Sequence, residues 1–238
     1  MSSPPGLSLA YSYPDGRTVG DHDIDAWELK ASRRALRNLK TLLAGQSMLD
    51  LLAKQIEEAD AYFKTIIAKS NGEYKESRID LSVKGVTAAQ FLGWFGQWMK
   101  DLSIPEQRQN LFLNTMVPAH PEHYALPPYP GIIETIGGHV ARTHIRVDLK
   151  IPEFVTAYAD PSYKQMPATG CLEDGSVLFY ILQEVRDSED GCEFRLRLLF
   201  PVAAPQIFFD EHAEHLAIEY RSFVTAAFES CQTSSHEK

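Results

Sequence analysis

The stretch 176-SVLFYILQEVRDSEDGCEFRLRLLFPVAAPQIFFDEHAEHLAIEYRSFVTAAFE-229 decides the class of the fold. Two strand-like runs, 176–186 and 192–200, follow one another with no crossover helix between them, which marks antiparallel pairing. Pro205–Phe209 reads as a connection, and 210–229 as one long C-terminal helix. Upstream, a strand-like run at 132–149 carries Ile145, Val147 and Leu149 on one face and His144, Arg146 and Asp148 on the other. A further run is expected at 153–159, and two earlier ones at Tyr74–Val83, stopped by Gly85, and Asn110–Met116. Between these two, Thr87 caps a helix over Ala88–Leu102 built around Phe91, Trp94, Phe95, Trp98 and Met99.

The amino-terminal part has a helical period. Leu36, Leu39, Leu42 and Leu43, then Leu49, Leu52, Ile56 and Phe63, recur at three- and four-residue steps. Gly45-Gln46-Ser47 breaks the pattern into two helices, with Ser47 as cap of the second, and Asn71-Gly72 ends it. Residues 1–22, crossed by prolines and glycines, read as a flexible arm, and 231–238 as a frayed tail. The class is therefore α+β: a helical segment at 23–70, then a domain over 71–230 in which a curved antiparallel sheet grips the last helix. The space between sheet and helix is the expected ligand cavity.

Composition narrows the function. The chain has 238 residues and a net charge of −9, with the acid dispersed along it, which speaks against nucleic acid or an anionic membrane as partner. Cys171, Cys192 and Cys231 are odd in number and unclustered, as in a reducing compartment. No signal-like segment opens the chain and no run approaches 18 apolar residues, so a soluble cytoplasmic protein is expected. The phosphate-loop, dinucleotide-loop, nucleophile-elbow and HExxH patterns are absent, and Gly137-Gly138 lacks phosphate-loop spacing. The expected partner is a small molecule, and the apolar helices of 24–68 could pack on a second copy as a homodimer.

Two clusters carry chemistry. His120-Pro121-Glu122-His123-Tyr124 sets two imidazoles and a carboxylate in a proline-fixed loop, as for a metal, or as a plain exposed loop. His215 and Glu219, four apart on the last helix, project from one face and can chelate a cation, with His212 a turn earlier. The alternative there is a solvated helix surface. His144 and Asp148 share a strand face and could add to the same ion. Such nitrogen and oxygen ligation suits Zn²⁺ or another divalent metal.

The run Gly85-Val-Thr-Ala-Ala-Gln-Phe-Leu-Gly-Trp94-Phe95 resembles the GxTxxMxxWWF helix of the 2,4-diacetylphloroglucinol hydrolase and phloretin hydrolase family. Thr143–Asp148 is similar to that family's strand in which a Glu follows a His by four. Tyr158-Ala-Asp160-Pro161-Ser162 resembles its aromatic-x-Asp-Pro-Ser turn, Gly191–Arg197 its GxxxRSR strand, and His215–Tyr220 its HxxxE-aromatic helix. The resemblance spans roughly residues 80–230.

It implies a Bet v 1-like (START-like) helix-grip fold holding zinc through two His and two Glu. It also implies hydrolysis of a carbon–carbon bond between an acyl group and a polyphenol or polyketide ring, in secondary metabolism. Carried over, the ligands are His215, Glu219, and His123 with His120 as its rival. Asp148 stands where the family has Glu, with Glu134 as a substitute. His144, Glu122 and Tyr124 are the candidates for proton transfer, and Trp94, Phe95 and Trp98 for an apolar pocket taking a flat ring. Two other readings keep the cavity: a cyclase or isomerase acting on a reactive polyketide without hydrolysis, and a carrier of an aromatic or lipid-like ligand.

Overall fold

The computed structural model describes residues 10–125, 131–147 and 149–236. Residues up to Leu42 form one unit and those from Leu43 onward another. In the first unit, β1 (Tyr11–Ser12) and β2 (Thr18–Val19) pair antiparallel, so the described part of the expected arm is a small hairpin. Helix α1 (Asp21–Leu42) follows, and the Tyr13 ring meets Trp27 edge-on.

The second unit opens with α2 (Gln46–Lys69), whose buried Met48, Leu52, Ile56, Ala59, Phe63 and Ile66 step by three and four residues. Its N-cap is Gly45 at φ 83°, a left-handed backbone that glycine tolerates, and not Ser47. Asn71 and Gly72, also at positive φ, turn the chain into β3 (Tyr74–Lys84). Helix α3 (Ala88–Leu102) starts where expected, in a capping box between Thr87 and Gln90.

Asn110–Met116 is helical, not a strand. It is covered by α4 (Pro105–Leu111) and a π-helical turn at Phe112–Met116, followed by α5 (Val117–Ala119). Pro105 at the first helical position starts this run. Phe112 and Met116, four apart, are buried, while Asn114 between them, which a strand would put on the same face, is exposed.

The run 132–149 is two strands. After β4 (His123–Ala125), strands β5 (Gly131–Ile136) and β6 (His139–Arg146) form a hairpin over Gly137-Gly138, both at positive φ, as a tight hairpin turn requires. The expected strand at 153–159 is instead one helical turn, α6 (Glu153–Thr156), begun by Pro152. A strand not foreseen, β7 (Lys164–Cys171), precedes β8 (Val177–Ser188) and β9 (Gly191–Pro201). Helix α7 (Gln206–His236) absorbs most of the expected connection at 205–209 and runs on into the expected tail.

Seven strands make one curled antiparallel sheet in the order β3-β9-β8-β7-β6-β5-β4. Strands β4 to β9 form a meander, and β3 adds to its far edge by pairing all along β9. The α+β class and the curled sheet with a C-terminal helix thus stand as read. On the inner face, Phe194, Leu196, Leu198 and Phe200 of β9 join Leu216, Tyr220 and Phe223 of α7 and Phe91 of α3 in the main core.

The outer face is covered twice. Met48, Leu52 and Ile56 of α2 pack on Ala125 and Ile133, and Val155 of α6 packs on Leu182 and Leu199. Beside Val155, Arg197 is buried against Glu184 and Glu76, and Arg195 holds Asp160 at 2.8 Å. Two of the motifs behind the family resemblance, the Asp-Pro-Ser turn and the Arg-rich strand, therefore meet each other here, away from the cavity. No helix among the described residues is long and apolar enough to cross a membrane.

Candidate metal centre

Three elements deliver the centre. His123 opens β4, and its cross-strand partner in the register is Glu134 of β5, so both side chains leave the sheet on one face. Within β5, Ile132, Glu134 and Ile136 share that inner face, as period two demands. Helix α7 supplies His215 and Glu219, one turn apart. It is held to the chain before β4 by the Ser222 hydroxyl, which donates to the Ala119 carbonyl at 3.1 Å.

The donor atoms converge. His123 Nε2 lies 3.0 Å from His215 Nε2, 3.7 Å from Glu134 Oε2 and 3.7 Å from Glu219 Oε1. His215 Nε2 lies 3.2 Å from Glu134 Oε2. Donors bound tetrahedrally at about 2.0–2.1 Å are separated by about 3.4 Å, and these four spacings straddle that value.

Tautomers distinguish His123 from His120. His123 Nδ1 is 2.9 Å from the Met116 carbonyl, an orphan of the helical run that ends at Ala119. A carbonyl only accepts, so the proton sits on Nδ1 and the Nε2 lone pair faces the other donors. His120 is wired the opposite way. Its Nδ1 accepts from the Glu122 amide at 3.1 Å, so the neutral ring keeps its proton on Nε2. His120 lies within the same histidine cluster, which could hold a metal ion, and stacks on His215 at 3.7 Å. In these tautomers the Nε2 lone pair of His123, and not that of His120, is turned to the other donors, although all three histidines of the cluster lie close enough to share an ion.

Charge tells the same story. Among the described residues neither Glu134 nor Glu219 meets a Lys or Arg. Burial, then the nearby Glu219 and Glu122 carboxylates, hold the Glu134 carboxyl well above its usual range, and burial pushes Glu219 up to about 8. Burial, reinforced by neighbouring imidazoles, pushes His215 well below the usual histidine value and His212 down to about 3. Two buried carboxyls and two imidazoles therefore have their charged forms suppressed until a dication arrives, whose charge two carboxylates would match. The residues fit a divalent metal.

No protein-family model matches the chain, and no curated protein matches it.

Glu134, His215 and Glu219 border a cavity of about 890 Å³ between sheet, α3 and α7. Its walls are mostly apolar, including Phe95, Trp98, Ile132, Ile181, Leu198 and Phe223. Of its lining, Lys100, Ser103, Arg146 and Val147 are exposed and mark the mouth, while the metal donors lie at the buried end.

The residues singled out in the sequence divide. His123, His215 and Glu219 come together. Asp148 lies outside the described residues, and the carboxylate that joins the three is Glu134, alone on an inner face otherwise made of isoleucines. Of the three proton-transfer candidates, one lines the cavity. The His144 imidazole borders it but meets Glu173 at 3.4 Å. Tyr124 bonds Thr135 at 3.0 Å and packs with the outer cluster under α2. Glu122 is exposed and takes part through its backbone amide. Phe95 and Trp98 line the cavity, whereas Trp94 stacks behind Trp98. The sequence reading missed two polar residues of the lining, Tyr220 and Gln183.

Proposed function

We propose that the protein is a metal-dependent hydrolase that cleaves the carbon–carbon bond between an acyl group and an aromatic polyphenol or polyketide ring. One observation carries this reading: Glu134 and Glu219, which meet no Lys or Arg among the described residues, converge with the imidazoles of His123 and His215 at the closed end of a large apolar cavity. A cavity of that size suits a flat ring with substituents. The curled sheet around α7 supports a Bet v 1-like helix-grip reading of the fold, and the motif order along residues 80–230 supports the hydrolase family.

His123, His215, Glu134 and Glu219 would hold Zn²⁺ or a similar ion, which supplies Lewis acidity for the acyl carbonyl and acidifies a bound water. The chain's own residues do the rest. The Met116 carbonyl fixes the His123 ring with its lone pair inward. Phe95, Trp98 and Phe223 exclude water and orient the ring. Tyr220 lines the cavity next to Glu219, and burial raises its phenol, so it keeps its proton at neutral pH and is the group we assign to protonate the departing ring carbon.

The test is metal analysis of the purified protein by mass spectrometry, with wild type beside His215→Ala, followed by assay on acylated polyphenols such as phloretin. We expect about one divalent ion per chain, lost in the variant, and products whose combined mass exceeds the substrate by one water. A wild-type chain that takes up no metal on reconstitution would falsify the metal centre. Metal-loaded protein inert towards every acylphenol and β-diketone offered rejects the hydrolase, and an isomeric product of unchanged mass identifies a cyclase or isomerase.

A further inference from the structure

Gln183 sits on the inner face of β8, between outward-facing Leu182 and Glu184, and is only 6% exposed. It lines the cavity among Ile181, Leu198 and Phe179. An apolar residue would suit that wall better, because an amide taken out of water without partners is costly.

Half of the amide is satisfied. The Arg197 backbone N–H donates to its side-chain oxygen at 3.1 Å. A backbone amide can only donate, so that contact fixes which end is oxygen and which is nitrogen. Among the described residues no acceptor meets the NH₂ end. That end opens on the cavity, where an acceptor on a ligand would gain a hydrogen bond from an oriented donor, worth about 0.5–1.5 kcal/mol net.

We infer that Gln183 determines specificity in this cavity by donating its side-chain NH₂ to an oxygen of the ligand, a carbonyl or a phenolic oxygen. The inference rests on the cavity being the ligand site in the reading above, but needs no metal. Apolar walls select a ring, and one oriented donor selects among rings by their oxygens.

Three probes of similar size separate the sources: 2,4-dihydroxyacetophenone, with carbonyl and phenols; 4-ethylresorcinol, with phenols alone; and propylbenzene, with no oxygen. Their affinities are measured by calorimetry on full-length, metal-free protein, wild type against Gln183→Met. We expect the variant to bind the ketone about tenfold more weakly and propylbenzene as tightly as wild type or better. Loss for 4-ethylresorcinol as well assigns the bond to a phenolic oxygen, and its retention assigns it to the carbonyl. Because Gln183→Met also removes the acceptor for Arg197, the side-chain amide of Gln183 is followed in parallel by ¹⁵N–¹H spectra of wild type. Its signal should move with the ketone and stay with propylbenzene.

Equal affinities for all probes in both proteins, with a stationary amide signal, overturn the inference and leave the metal centre untouched. A wild type that binds none of them overturns it together with the cavity as a ligand site. Oxygen-selective loss in a protein that, zinc-loaded, hydrolyses none of the acylphenols and β-diketones offered keeps the inference and rejects the hydrolase.

Discussion

The two faces of the sheet bury charge in opposite ways. On the outer face the acids are answered by guanidinium groups: buried Glu184 and half-exposed Glu76 share Arg197, Asp160 takes Arg195, and Glu193 takes Arg186. On the inner face, among the described residues, Glu134 and Glu219 meet only imidazoles, and burial holds that of His215 well below the usual histidine range. Charges answered within the chain hold it together, here by fixing the segment around α6 to β8 and β9. Charges unanswered within the chain are those an entering cation could match, and this contrast separates architecture from the candidate site.

The largest expected effect lies outside. Glu184→Ala leaves Arg197 buried beside only the half-exposed Glu76, and should cost about 3–5 kcal/mol in urea unfolding with or without metal. Measurable cost only in the metal-loaded protein would mean the outer network is not structural. Inside, His123→Ala or Glu134→Gln should weaken zinc affinity at least about 100-fold in chelator competition, since removing even an outer partner of a ligand costs tenfold or more.

The third effect is a slope. The Glu219 carboxyl holds its proton to about pH 8 when folded and loses it near 4.5 when unfolded, so its stabilising effect is full below 4.5 and is lost as pH rises to 8. In metal-free protein this slope is at most about 1.4 kcal/mol per pH unit, and Glu219→Gln should flatten it. A slope unchanged in that variant places the titration elsewhere. The smallest effect belongs to His120: with its Nδ1 committed to the Glu122 amide, His120→Ala should shift zinc affinity less than about tenfold, a loss typical of outer partners. Loss equal to that of His123→Ala would make His120 the ligand.

Much of this was legible along the chain, because the signals are local. The Thr87 cap, the period of α3, and the spacing of His215 and Glu219 are all contained within one or two helical turns. Other features were not, for physical reasons. Strand β7 hides behind Pro167 and Gly170, both poor strand formers. Among the described residues β6 pairs with β7 only at Thr169–Cys171, so Pro167 lies beyond that ladder, where its missing N–H is tolerated. The helical turns at 112–116 look like a strand because Leu111, Phe112 and Leu113 are a short apolar run, on which periodicity is silent. Glu134 ranked below Asp148 because spacing from His144 favoured the latter. Only the register of β4 on β5, set by tertiary pairing, puts Glu134 opposite His123.

The Met116 carbonyl that orients His123 belongs to the main chain. No codon change at position 116 can delete it, so the tautomer is insulated from point mutation in a way that a carboxylate partner would not be. What can reset it is phase: inserting or deleting one residue in the π-helical turn would present a different peptide group to the imidazole. A backbone ester replacing the amide between Met116 and Val117, made by chemical ligation, would weaken that acceptor while leaving every side chain in place.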